Sequence, residues 1–267
     1  MTRPRLLILT DLDGTLLDHE SYTWEAARPA LQRLAAANIP VIINSSKTAA
    51  EIRELRGKIN NNWPFVAENG AFVVISPEFS GNPAEQTVTF GAALAEIHRT
   101  LDQLRADGFR FRSFRDMSVA ELAALTSLPA SRAQLARQRS GTEPLVWQGS
   151  EPSLVRFEAA LQAAGLRLVR GGRFFHVMGP FDKADGVRFL LGNYRERFAG
   201  ERVIAIGLGD SPNDQQMLEA VDVPVIIRGI RSGSVILPSA RHGIRSLKPG
   251  PEGWNECVLN LLIEYGY

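Results

Sequence analysis

Short apolar runs punctuate the chain, and the first, Leu6-Leu7-Ile8-Leu9, gives way to Asp11. Runs of this length without polar interruption read as strands buried on both faces. Val41-Ile42-Ile43 and the stretches 64–67, 72–75, 202–207 and 223–227 have the same character. Between them lie segments with apolar positions three and four residues apart, which predict helices over 24–37, from Thr48 onward, over 183–199 and over 254–265. Thr48 and Glu51 have capping-box spacing, and Pro29 disturbs the first turn of the earliest helix.

From about residue 83 the pattern changes. Pro77, Gly81, Asn82 and Pro83 mark a linker. The middle of the chain mixes strands at 87–90, 109–114 and 144–147 with helices at 92–106 and 153–164. Two further helices are signalled by Ser118 with Glu121 and Ser131 with Gln134. Two strands at 166–170 and 173–177 flank Gly171-Gly172, a two-residue hairpin loop by its composition. Asn69-Gly70 between apolar runs is another hairpin signal. After residue 180 the alternation of buried strand and helix resumes. The expected fold is therefore α/β, a doubly wound parallel Rossmann-like core sheet built from residues 1–82 and 181–267, with an inserted α+β cap over 83–180.

Composition narrows the function little. With 30 Lys+Arg against 29 Asp+Glu the net charge is +1, which gives no sign of nucleic-acid or membrane affinity, so an anionic ligand must be recognised locally. One cysteine, Cys257, excludes an internal disulfide framework and accords with a reducing compartment. No stretch approaches the roughly 20 apolar residues of a membrane span. A cytoplasmic protein is expected; oligomeric state is not readable.

The candidate chemistry sits where strands end, the place at which doubly wound sheets bind ligands. Asp11 and Asp13 leave the first strand, followed by Gly14-Thr15. Asn44-Ser45-Ser46-Lys47 leaves the second, putting hydroxyls and an ammonium between a strand end and a helix start, a favourable position for phosphate, although capping alone would also account for it. Lys183 stands at a helix N-terminus, where the dipole disfavours it and a partner is required. Gly209-Asp210-Ser211-Pro212-Asn213-Asp214 leaves a further apolar strand. Carboxylates converging on a phosphate repel it by about 4 kcal/mol per pair at 4 Å and an effective dielectric near 20, so cations are needed. Oxygen-only donors without a His or Cys cluster favour Mg²⁺ over zinc.

Asp11-Leu12-Asp13-Gly14-Thr15-Leu16 resembles the DxDGTx motif of haloacid dehalogenase superfamily phosphatases, and Ser45, Lys183 and the GDxxND stretch occur in the order of that superfamily's other motifs. The resemblance implies Asp11 as nucleophile, Asp13 as general acid and base, and Ser45 and Lys183 as phosphoryl ligands. It also implies Mg²⁺ held by Asp11, Asp13, Asp210 and Asp214.

The stretches 44–48, 68–71 and 171–183 are similar to those of mannosyl-3-phosphoglycerate phosphatases. A small phosphorylated sugar or glycosyl-glycerate is the implied partner, with no nucleic acid or membrane. Glucosyl-3-phosphoglycerate, sucrose-phosphate, a phosphomannomutase reaction or plain sugar-phosphate binding are the alternatives. Ser46, Lys47, Asn69, Arg139, Arg170, Arg173, His176 and Asn213 are candidate substrate ligands. Turn chemistry explains Asn69 equally well, and Arg170, Arg173, His176 and Arg139 read equally as strand, hairpin or helix-surface residues.

Overall fold

The computed structural model describes residues 3–171, 174–238 and 243–267. Its elements, in chain order, are β1 (Arg5–Thr10), α1 (Arg28–Ala36), β2 (Val41–Asn44), α2 (Ala49–Ile59), β3 (Phe65–Ala67), β4 (Phe72–Ile75), the single turn α3 (Pro77–Ser80) and β5 (Gln86–Thr89). Next come α4 (Leu94–Ala106), β6 (Phe111–Ser113), α5 (Val119–Thr126), α6 (Ala130–Ala136), β7 (Thr142–Trp147), α7 (Glu151–Ala163), β8 (Arg167–Arg170) and β9 (Phe175–Met178). The chain closes with α8 (Lys183–Arg197), β10 (Val203–Gly209), α9 (Gln215–Glu219), β11 (Val223–Arg228), β12 (Ile244–Pro249) and α10 (Gly250–Glu264).

Among the described residues, eight strands form one sheet in the order β12-β11-β10-β1-β2-β3-β4-β5, and four form a second in the order β6-β7-β9-β8. In the larger sheet β1 pairs in parallel with both β10 and β2, and only the β3–β4 and β4–β5 pairs are antiparallel. The apolar runs explain its burial on both faces. Leu6 and Ile8 of β1 pack into a cluster with Leu34 of α1 and Trp254 and Val258 of α10. Leu7 and Leu9, pointing the other way, join Val187, Leu190 and Leu191 of α8. Each such fully buried leucine is worth roughly 1.5–3 kcal/mol of transfer free energy.

The strand order reverses beside β1. The chain proceeds from β1 through β2 and β3 on one side, and from β10 through β11 and β12 on the other. A crevice at such a reversal, outside the carboxyl ends of the strands, is where ligands bind in this architecture.

The smaller sheet is wholly antiparallel. One face carries Phe111, Leu145 and Val177 against Ile97 and Leu101 of α4 and Phe157 and Leu161 of α7. Phe114, Val146 and Phe174 belong to a separate cluster with Leu122 of α5 and Ala133 of α6.

Several expectations change. β5 hydrogen-bonds to β4, so the larger sheet continues past residue 83, where the inserted unit was expected to begin. β12 was not anticipated, because it is an edge strand with only Ser246 buried and so carries no apolar run. The helix expected over 24–37 divides into a 3-10 turn, Glu25–Ala27, and α1, with Pro29 in the first turn of the latter. The box expected from Ser131 and Gln134 does not form, since α6 starts earlier, behind Pro129.

The two hairpin signals also move. Arg170 pairs with Phe175 and the Gly171 N–H donates to the Phe174 carbonyl at 2.8 Å, so pairing is centred one residue later than a Gly171-Gly172 turn requires. Ala67 pairs with Phe72, leaving residues 68–71 between β3 and β4 in place of a two-residue Asn69-Gly70 loop. Among the described residues no helix is long and apolar enough to cross a membrane.

Candidate active site

Asp11 follows the last residue of β1, and its N–H donates to the Leu208 carbonyl of β10 at 2.9 Å, which sets the carboxylate at the boundary between those strands. Gly14, with φ of 82°, then turns the chain back. A Cβ there would lie 2.6 Å from Asp210 Oδ2, so only glycine admits so close an approach. Thr15 Oγ1 donates to Asp210 Oδ1 at 3.2 Å.

Lys183 is the first residue of α8 and is almost wholly buried. Its Nζ donates to Asp11 Oδ1 at 2.5 Å and to Asp214 Oδ1 at 2.6 Å. Asp182 caps the helix, accepting from Ala184 N at 2.7 Å, while Asp185 Oδ2 accepts from Asp182 N at 2.9 Å. Burial pushes the Lys183 ammonium down, but Asp11 and Asp214 outweigh it and hold the pKa above the ordinary lysine range. Asp214 uses its second oxygen on the backbone, accepting from the N–H groups of Asp210 and Ser211, each at 3.1 Å. It therefore orients both Lys183 and the Asp210 loop.

Ligand atoms of Asp11, Asp210 and Asp214 lie within 4.8 Å of one another, all buried. Burial, then the charge of Asp214, drives Asp11 well above the usual carboxylate range despite Lys183. The same two causes push Asp210 up to about 7. Three buried carboxylates facing one buried ammonium leave an excess of two negative charges when all are ionised, and the donors are all oxygen. A hard divalent cation fits such a set. Asp11 and Asp210 are the side chains placed to hold it, because both Asp214 oxygens already have partners.

Asp13 is partly exposed, with its Oδ1 3.0 Å from Lys47 Nζ, and Lys47 also lies 3.8 Å from Glu51 and over the Tyr22 ring. Burial lowers the Lys47 ammonium, but Asp13 and Glu51 more than reverse this. Ser45 is buried at the end of β2, and its Oγ accepts from Lys47 N at 3.2 Å. The Thr48 and Glu51 capping box forms as spaced, and starts α2 directly behind this loop.

A cleft of about 660 Å³ lies between the two sheets, lined by Asp11, Asp13, Ser46, Lys47, Asp210 and Asn213 from the larger and by Arg139, Arg170 and His176 from the smaller. Ser45, Asn69, Lys183 and Asp214 are buried and do not line it. Arg139 reaches the cleft, but its guanidinium donates to Thr142 Oγ1 and to the Ser46 carbonyl at 2.9 Å and lies 3.5 Å from Glu68, so its charge is already matched. His176 is half-buried with an unpartnered Nδ1, and burial, then Arg139, pushes its pKa down to about 3, leaving a neutral ring. Asn213 accepts a hydrogen bond from Ser211. Arg173 lies outside the described residues.

Sequence reasoning missed the Arg228, Gly229 and Arg231 wall, which begins at the last residue of β11 and lines the cleft. The signal was present, since 228–231 is another strand end on the same edge. Asn44 was also passed over; its Nδ2 donates to the Lys183 carbonyl at 2.8 Å and joins the end of β2 to the start of α8.

The sheet order, the acidic edge and the strands inserted above it define a doubly wound α/β protein with a covered, carboxylate-rich site. A family model described as haloacid dehalogenase-like hydrolase matches residues 8–123. The chain has the haloacid dehalogenase-like fold, as its motifs led us to expect. A haloacid dehalogenase-like hydrolase from Bacteroides thetaiotaomicron superposes with a TM-score of 0.69 at 18% identity, covering 96% of this chain and 98% of that one. A phosphatase of the haloalkanoate (HAD) superfamily from the same organism gives 0.67 at 16% identity, over 99% and 96%. A subclass IIB sugar phosphatase of the superfamily gives 0.64 at 14% identity, over 97% and 98%.

Proposed function

We propose that this chain is a divalent-metal-dependent phosphomonoester hydrolase whose preferred ester is mannosyl-3-phosphoglycerate. The observation that carries the reaction type is the Asp11 carboxylate at the strand-order reversal, with Oδ1 held by Lys183 and with Asp13 beside it facing the cleft. The fold shared with superfamily phosphatases supports the same reading.

Asp11 attacks phosphorus in line, forming an aspartyl-phosphate as the bond to the leaving oxygen breaks, and Asp13 gives that oxygen its proton. Asp13 then takes a proton from the water that attacks the same phosphorus, which releases phosphate and restores Asp11. Lys47 orients Asp13 through their ion pair. Ser45 and Lys183 hold the transferred oxygens, and Asp214 keeps Lys183 in place. Asp11, Asp210 and the Asp13 backbone carbonyl would hold Mg²⁺, with Asp214 acting through water. When bound, the ion neutralises charge on the phosphoryl oxygens. Pre-placed charges of this kind carry most of the catalysis of phosphoryl transfer.

The substrate rests on the similarity of the 44–48, 68–71 and 171–183 stretches to mannosyl-3-phosphoglycerate phosphatases. Ser46, Lys47, Arg170, His176 and Asn213 line the cleft and are the side chains available to a glycosyl-glycerate. The single Cys257, buried and free, accords with a cytoplasmic setting. A second reading, a simple hexose phosphate as substrate, is favoured by the sugar phosphatase among the structural neighbours.

Phosphate release from mannosyl- and glucosyl-3-phosphoglycerate, sucrose-phosphate and hexose phosphates separates these readings. Preference for the mannosyl ester supports the proposal, and efficient cleavage of a hexose phosphate with refusal of both glycosyl-phosphoglycerates overturns it. Asp11→Asn should abolish release, by on the order of 10⁴-fold or more, while leaving the fold intact.

A further inference from the structure

Three consecutive residues between β3 and β4 adopt left-handed backbone: Glu68 at φ 53°, Asn69 at 60° and Gly70 at 100°. Residues with a Cβ disfavour this region, so such a turn persists only where its surroundings hold it. Each of the three is held against a different part of the molecule.

Glu68 is fully buried, and its carboxylate accepts from Ser140 N at 2.8 Å, Gly141 N at 3.1 Å, Thr142 N at 2.9 Å and Thr142 Oγ1 at 2.8 Å. These donors all belong to the segment that enters β7 of the smaller sheet. Facing the other way, the Glu68 N–H donates to the Lys47 carbonyl at 3.0 Å and the Asn69 N–H to the Ser45 carbonyl at 2.9 Å. Gly70 closes against the start of α8, where a Cβ would lie 2.0 Å from the Asp182 carbonyl oxygen and 3.2 Å from Lys183 N. Arg139 adds a parallel tie, touching Glu68 on one side and the Ser46 carbonyl on the other.

We infer that the 68–70 turn is a positioning hub that sets the smaller sheet in register with Ser45 and Lys183, and that Glu68 is its clasp; this rests on the phosphatase reading given above. Glu68 and Arg139 are then positioning residues, and neither needs to touch substrate. The consequence is that the seating of the substrate-covering sheet and the geometry of the phosphoryl ligands are one mechanical unit.

Glu68→Gln tests this, because it places an NH₂ group among converging donors. Amide exchange should quicken by about tenfold not only at Gly141 and Thr142 but also at Glu68 and Asn69, whose N–H groups reach the Lys47 and Ser45 carbonyls. With a small aryl phosphate, which has no sugar to meet the smaller sheet, kcat should fall about tenfold or more, as misplaced reacting groups require. Faster exchange confined to residues 140–142, with unchanged aryl-phosphate kcat, would show that Glu68 only closes the start of β7. Thr142→Val, which removes one of the four donors, should give the same pattern at about threefold and decides the matter if Glu68→Gln does not fold. Should the wild-type protein cleave no ester, the phosphatase reading fails, while the exchange pattern still answers whether the hub exists.

Discussion

At the carboxyl edge of the larger sheet Asp11, Asp210 and Asp214 are buried, with Asp11 and Asp214 bonded to one lysine, whereas on the smaller sheet facing them Arg170 is exposed and His176 leaves Nδ1 without a partner. The first arrangement admits few substitutions, because Asp11 and Asp214 share one buried ammonium and a change at any of the three leaves a buried charge unpaired. The second is a wall whose residues meet solvent until a ligand comes. On the proposed reading, chemistry common to many esters belongs to the first region and choice among esters to the second.

The sharpest way to break this division is Lys183→Met. It should reduce phosphate release by about 10³-fold or more, since the proposed mechanism loses a phosphoryl ligand. It should also cost about 3–5 kcal/mol of stability, because Asp11 and Asp214 are left buried without their cation. Denaturant unfolding checks the second effect. A stable, active variant would mean that the buried triad is not the reaction centre.

A smaller effect is expected from pH and metal. Asp210, at about 7, and Asp11, well raised, bind protons in the folded state that the unfolded chain has already released, so stability without metal should fall as pH rises from about 4 through 7. Lys183 is charged in both states across that window and contributes no slope there. A divalent cation competes with these protons, so Mg²⁺ should raise Tm more at pH 8 than at pH 5. Melting curves with EDTA and with Mg²⁺ at the two values test this; equal Mg²⁺ effects would contradict it.

The smallest expected change is Arg170→Ala, which should raise KM several-fold for the glycosyl-phosphoglycerate and leave an aryl phosphate unaffected. Equal losses on both would move Arg170 from the substrate wall to the reaction centre.

The same division governs how much could be read from the sequence. Asp11, Asp13 and Asp210 stand directly after apolar runs, and a doubly wound sheet brings such positions together whatever their separation along the chain. Lys183 announced its need of a partner by its place at a helix start. Glu68 gave no comparable signal: its partners, residues 139–142, lie some seventy positions away, and nothing local distinguishes it from a polar turn residue. Arg139 read as a ligand because free arginines bind carboxylates, yet its charge is already met by Glu68. β12 escaped notice because an edge strand need not be apolar, and β5, expected as a strand at 87–90, was assigned to the inserted unit because a linker rich in Pro and Gly precedes it, although it pairs with β4.

The central claim is that Asp11 carries the phosphoryl group. It is tested most directly by quenching the enzyme during turnover, reducing any acyl phosphate with borohydride and mapping the modified peptide by mass. The account predicts reduction of Asp11 to homoserine in the wild-type protein and none without substrate. Sustained turnover with an unmodified Asp11 peptide, or with the label on another residue, would contradict it.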